Sequence, residues 1–204
     1  MATSKDLISA LKAIAAPGEV DKVRRFYKGG DPATQIMGVS IGKVFPIAKQ
    51  FIALGLDEVE ALLEDPHYEV RMAAVSVMDF KARRKRLSET DRQALFDLYL
   101  RRHDRINNWD LVDRAAPHVI GEHLLDKDRT VLDRLAHSRD PHERRTAIVA
   151  TYAFIKRGEV DDTYRIAELL VEDPDEYVQK ALASWTREAG KKEQARLVRF
   201  LKDN

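Results

Sequence analysis

The 204-residue chain contains no cysteine, so neither a disulfide framework nor a thiolate metal site can be built from it. Uninterrupted apolar runs are equally missing, and none approaches the roughly 18 residues a membrane-spanning helix needs. The apolar stretch in MATSKDLISALKAIAA follows helical spacing and lacks the core of a secretory signal. An excess of one charge is also absent: 35 Lys and Arg stand against 34 Asp and Glu. A nucleic-acid partner would therefore have to be met by cations gathered on one face. These absences fit a cytoplasmic protein that does not engage a membrane. The six histidines show no HExxH spacing and no carboxylate-paired ligand set. IGKV at 41–44 lacks the glycines of a phosphate loop, and no serine sits in a nucleophile motif.

Apolar residues recur at i, i+3, i+4 and i+7, with no convincing period-2 segment. The pattern predicts helices over 4–15, 18–28, 41–54, 57–64, 68–83, 88–103, 108–120, 127–137, 142–157, 160–172, 175–189 and 192–202. Gly and Asp-Pro punctuation separates them, at Pro17-Gly18, Gly29-Gly30, Asp65-Pro66, Asp140-Pro141, Gly158 and Asp173-Pro174. The expected fold class is all-α, in one domain over residues 1–204.

Three segments repeat one design: EDPHYEVRMAAV (64–75), RDPHERRTAIV (139–149) and EDPDEYVQKALA (172–183). The Asp residues of the second and third copies are 33 positions apart, and 75 separate the first two, room for one intervening copy. That gap holds NNWDLVDRAAP (107–117), where Val112-Asp113-Arg114 lies over Val70-Arg71-Met72. A helix pair cannot bury its apolar face alone, so pairs stack into a curved α-α superhelix of HEAT-like repeats. Equivalent positions would then form a row of Arg71, Asp113, Arg145 and Gln179, with Asp113 its lone acid.

DRINNWDLVDRAAPHVIG followed by ERRTAIVATYAFIKRGEVDDT resembles the AlkD-type DNA alkylation repair enzymes, HEAT-like-repeat DNA glycosylases. The likeness runs from VRRFYKGG to EAGKKEQARLVRFL and is densest over residues 60–172. It implies removal of cationic N3- and N7-alkylpurines from double-stranded DNA, as an early step of base excision repair, by a monomer using no metal or organic cofactor. Position by position, it makes Asp113 the catalytic carboxylate and Trp109 the aromatic packed on the damaged nucleotide. Arg145, its neighbour Arg144, Phe26 and Lys28 become the DNA-binding set. The family's second aromatic follows QKA or HKA as Gly-Trp. Here QKALASWTRE puts Ser184 at that place and Trp185 one residue later, turned by about 100°.

The chemistry such residues can perform is limited and specific. A cationic purine leaves without a general acid, so what needs stabilising is the sugar as it becomes oxocarbenium-like. One ionised carboxylate meets that need and can position or deprotonate water. Trp109 lies one helical turn before Asp113 on the same face. On sequence alone, Trp109 and Phe26 can equally be core, Asp113 a solvated helix acid, and Arg144-Arg145 a packing pair. KARRKR at 81–86 reads as a solvated helix end or a phosphate clamp. Two rival functions remain. One is a catalytically silent DNA-binding relative, favoured by Ser184 and the short segment beyond it. The other is a protein-interaction scaffold, which predicts an apolar rather than a charged row.

Overall fold

The computed structural model describes residues 2–204. Among them are thirteen α-helices and no strand, only an isolated bridge between Gln35 and His67. The chain divides into two compact units, Met1–Ala115 and Ala116–Asn204.

The first unit holds α1 (Ser4–Lys12), α2 (Val20–Arg24), α3 (Ile41–Gln50), α4 (Leu56–Glu64), α5 (Tyr68–Ala82), α6 (Glu89–Arg101) and nearly all of α7 (Trp109–Ala116). α1 opens on a capping box, with the Thr3 hydroxyl accepting from the Asp6 N–H and Asp6 returning to the Thr3 N–H. α5 is the central rod, packed on α3, α4 and α6. Its residues are buried almost all round, including Tyr68, Met72, Val75 and Met78, the mark of an interior rather than an amphipathic helix. Buried Glu69 collects the N–H groups of Met37, Gly38 and Val39 at 2.8–3.1 Å, tying that loop to α5. The loop passes tightly. Gly38 has φ 89°, and a Cβ there would stand 2.5 Å from the Ala16 carbonyl.

The second unit holds α8 (Thr130–Ala136), α9 (Pro141–Ala150), α10 (Tyr152–Lys156), α11 (Asp161–Leu170), α12 (Glu176–Gly190) and α13 (Gln194–Asp203). α9 packs on α8, α11 and α12. Arg129 braces this unit. Its guanidinium lies 3.9 Å from the Phe154 ring centroid, pairs with Glu159 and Asp162 at 2.6 Å, and reaches the Leu124 and Leu125 carbonyls.

Element positions follow the sequence pattern closely, with informative exceptions. The helix expected over 142–157 breaks at buried Thr151, whose hydroxyl donates to the Ile148 carbonyl at 2.7 Å and tightens the turn. That expected over 108–120 gives way at Pro117 to a π-type turn, Pro117–Gly121, because proline has no N–H to offer the Asp113 carbonyl. The one over 18–28 is a short 3-10 turn followed by α2, which ends before Gly29-Gly30.

The expected row needs correction. Counted from each helix start, Asp113 and Arg145 are fifth residues, whereas Arg71, Arg144 and Gln179 are fourth. The fourth residues share one task. Arg71 donates to the Asp65 and Pro66 carbonyls, Arg144 to those of Ser138 and Arg139, and Gln179 to those of Leu170, Val171 and Asp173. Each stitches the turn that precedes its own helix, so these side chains are structural ties. The fifth-residue equivalents of Asp113 and Arg145 are Met72 and Lys180. Alignment on the small residues Ala73, Ala115, Ala147 and Ala181 misleads because Ala73 and Ala181 are the sixth residues of their helices, while Ala115 and Ala147 are the seventh.

Candidate nucleic-acid interface

In the first unit, α7 carries both expected catalytic residues and is only eight residues long. Asn108 precedes it, its carbonyl accepting the Val112 N–H, and Pro117 ends it. Leu111, Val112, Ala115 and Ala116 are buried, while Trp109 and Asp113 are half-buried, one turn apart on the same side. Asp113 is thus neither sealed in the core nor projected fully into water.

Two polar ties fix the rotation of α7. Arg114 lies 4.7 Å from the centroids of both the Phe45 and Phe80 rings, donates to the Ser76 hydroxyl at 3.1 Å, and pairs with fully buried Asp79 at 2.9 Å. Asp110, on the same side of α7, accepts from the Tyr68 hydroxyl and from Asn108 Nδ2. Burial pushes the Asp110 carboxyl up to about 6, against the pull of those two donors. Burial, and then the Asp110 charge, push the Tyr68 hydroxyl well above its ordinary range, so it stays a donor.

Phe26 follows α2 and is 53% exposed, which removes the core reading for it. Its carbonyl accepts from Trp109 Nε1 at 3.2 Å and from Asn108 Nδ2 at 3.0 Å. Exposed Lys28 is held through its backbone N–H by Asn108 Oδ1 at 2.7 Å. The structure therefore brings Phe26, Lys28 and Trp109 together, although some eighty residues separate them in sequence. Next to them is a cavity of about 460 Å³ whose walls include Val23, Phe26, Ile41, Trp109 and Asp110.

In the second unit, Arg145 is only 6% exposed and its Nη1 donates to the Tyr177 carbonyl. Arg144 grips Asp173 through Nε and Nη2 as well as the turn carbonyls through Nη1, so four hydrogen bonds already engage its guanidinium. The Ser184 hydroxyl donates to the Lys180 carbonyl of its own helix at 2.8 Å. Trp185 packs on Tyr152, with ring centroids 4.8 Å apart.

Sequence reasoning missed Asn108, Asp110, Tyr68 and Arg114. The pair Asn107-Asn108 directly before an apolar helix carried an N-cap signal that points at Asn108. Nothing in sequence pairs Arg114 with Asp79.

Helix pairs linked by stitched turns, with an aromatic and a carboxylate presented from one short helix, define an all-α repeat protein with a polar site. The sequence model described as "DNA alkylation repair enzyme" matches residues 7–204, and the chain belongs to that family. Among solved structures it is similar to a "Predicted DNA alkylation repair enzyme from Enterococcus faecalis", with a TM-score of 0.73 at 15% identity, over 93% of this chain and 90% of that one. At that identity the likeness speaks for the fold. No curated protein matches the sequence. No helix among the described residues is long and apolar enough to cross a membrane.

Proposed function

We propose that this member of the DNA alkylation repair family is a monofunctional glycosylase for cationic N3- and N7-alkylpurines in double-stranded DNA, with residues 1–204 acting as one repair domain. The observation that carries the reading is the pairing of half-buried Trp109 and Asp113 one turn apart on α7, a helix held rotationally by Arg114 and Asp110. Asp113 supplies negative charge to the deoxyribose as the N-glycosidic bond breaks, and it orients the water that attacks the anomeric carbon. The alkylated base carries its own positive charge and departs as a neutral leaving group. Trp109 packs on the sugar and excludes water, which strengthens the carboxylate's field. Exposed Phe26 and Lys28 extend the contact along the backbone. Arg145 is the candidate phosphate contact of the second unit, reached once its tie to the Tyr177 carbonyl is exchanged.

A second reading, DNA binding without base release, is favoured by Ser184, whose hydroxyl is turned back on its own helix where the resemblance implies an aromatic. Release of 7-methylguanine and 3-methyladenine from methylated duplex decides between them. Release by the wild type, lost in Asp113→Asn with DNA affinity kept, supports the glycosylase. Salt-sensitive binding with no release by the wild type supports the second reading. Neither release nor binding would remove both.

A further inference from the structure

Asn108 is completely buried, and its amide is engaged at both ends. Oδ1 accepts the Lys28 N–H at 2.7 Å, while Nδ2 donates to the Phe26 carbonyl at 3.0 Å and to Asp110 Oδ1 at 2.6 Å. The orientation of the amide is dictated by these partners. Turned over, its oxygen would face a carbonyl and a carboxylate while its NH2 met an N–H. Aspartate could not replace it, because a second carboxylate would stand against Asp110 and the carbonyl. Serine is too short to span all three partners.

The Phe26 carbonyl that Asn108 holds is also the acceptor for the Trp109 indole N–H at 3.2 Å. One carbonyl oxygen, two lone pairs and two donors make a clasp between the segment after α2 and the start of α7. One side of the indole borders an open pocket of about 460 Å³ rather than core side chains. The hydrogen bond to a carbonyl that is itself pinned favours one orientation of the ring.

We infer that Asn108 is a positioning residue for the proposed reaction: by pinning the Phe26 carbonyl it sets the plane of the Trp109 indole and the spacing of Trp109 from Phe26. The inference rests on the glycosylase reading for its catalytic consequence, and on the geometry alone for its structural one. A misplacement of about 1 Å in a positioning group costs a rate of the order of 100-fold, which sets the size of the effect.

The test uses the full chain carrying Trp185→Phe, so that Trp109 is the remaining indole. Hydrogen exchange of its Nε1–H is read by nitrogen-15 NMR, alongside single-turnover release of 7-methylguanine and DNA affinity. With Asn108 intact, the indole proton exchanges slowly. In Asn108→Ala, exchange accelerates at least about tenfold and the single-turnover rate of the bound complex falls on the order of 100-fold, a larger loss than that in DNA affinity, which weakens through the loosened Phe26–Lys28 segment. A purely structural role would lower the melting temperature without moving the indole exchange in the folded state. If Asn108→Ala does not fold, Asn108→Ser is measured in the same way. Unchanged exchange in the folded variant overturns the inference, as does raised exchange with a rate within about twofold of the parent. So does fast indole exchange in the protein with Asn108 intact, whatever the variants do. Should the wild-type chain release no base either, the glycosylase reading is what has failed, and the clasp is judged by the exchange data alone.

Discussion

Arg114 and Asp79 form an ion pair at 2.9 Å in which the carboxylate is fully buried and the guanidinium lies over two phenylalanine rings, 4.7 Å from each centroid. A helix of eight residues has little intrinsic stability, so this pair does much to set where α7 lies. Arg114→Ala removes this cation from buried Asp79, which keeps Arg83 at 3.5 Å, and is expected to cost up to about 3 kcal/mol by urea denaturation. Arg114→Met combined with Asp79→Leu removes both charges and is expected to recover most of that loss. A double variant no more stable than Arg114→Ala would mean that the ion pair is not the source.

Asp110 makes stability depend on pH. Its carboxyl titrates near 6 in the folded chain and near 3.8 when exposed, so the native state binds more protons between those values. Stability therefore falls as pH rises from about 4 to about 6, by an amount on the order of 2 kcal/mol. Asp110→Asn, which cannot ionise, is expected to flatten this slope in melting curves taken across the window. An unchanged slope would assign the dependence to other groups.

Gly29 sits where a Cβ would lie 1.9 Å from the Asn107 carbonyl and 2.7 Å from the Tyr27 hydroxyl. Neither neighbour can yield cheaply, since one is backbone and the other accepts from Thr34 Oγ1. Gly29→Ala is expected to destabilise by about 1–3 kcal/mol through forced backbone movement. By shifting Phe26 and Lys28 it should also weaken DNA binding. Wild-type melting and affinity in this variant would show that the segment tolerates the displacement.

Trp109 and Phe26 should separate in kinetics. Trp109→Ala is expected to lower the single-turnover rate more than DNA affinity, because the indole acts on the sugar that develops charge. Phe26→Ala, at the exposed edge, is expected to weaken affinity with the bound rate largely kept, as for an interaction made equally before and during reaction. Equal losses in both quantities for both variants would remove this division of labour.

Most of the helices and the repeat were legible because apolar spacing and Asp-Pro punctuation are local signals. The register of the row was not. Ala147 stands one place further into its helix than Ala73 does, and the carbonyls stitched by Arg71, Arg144 and Gln179 reveal the true alignment. Trp109 and Asp113 could be picked out because they share one short helix. Tyr68 and Asp79 could not, since Asp110 and Arg114 lie 42 and 35 positions away, and the cap signal at Asn108 says nothing of Phe26, 82 positions away. Phe26 shows the same limit: its exposure follows from the early end of α2, which a helical reading of 18–28 conceals.

With Asn108 at one end and Pro117 at the other, α7 is a peg of two turns whose length cannot be altered quietly. One residue inserted between the indole and the acid would swing the carboxylate about 100° around the axis, out of line with the ring. Homologous chains that keep this chemistry should therefore vary freely in the stretch after Gly121 yet hold the count from tryptophan to aspartate at four.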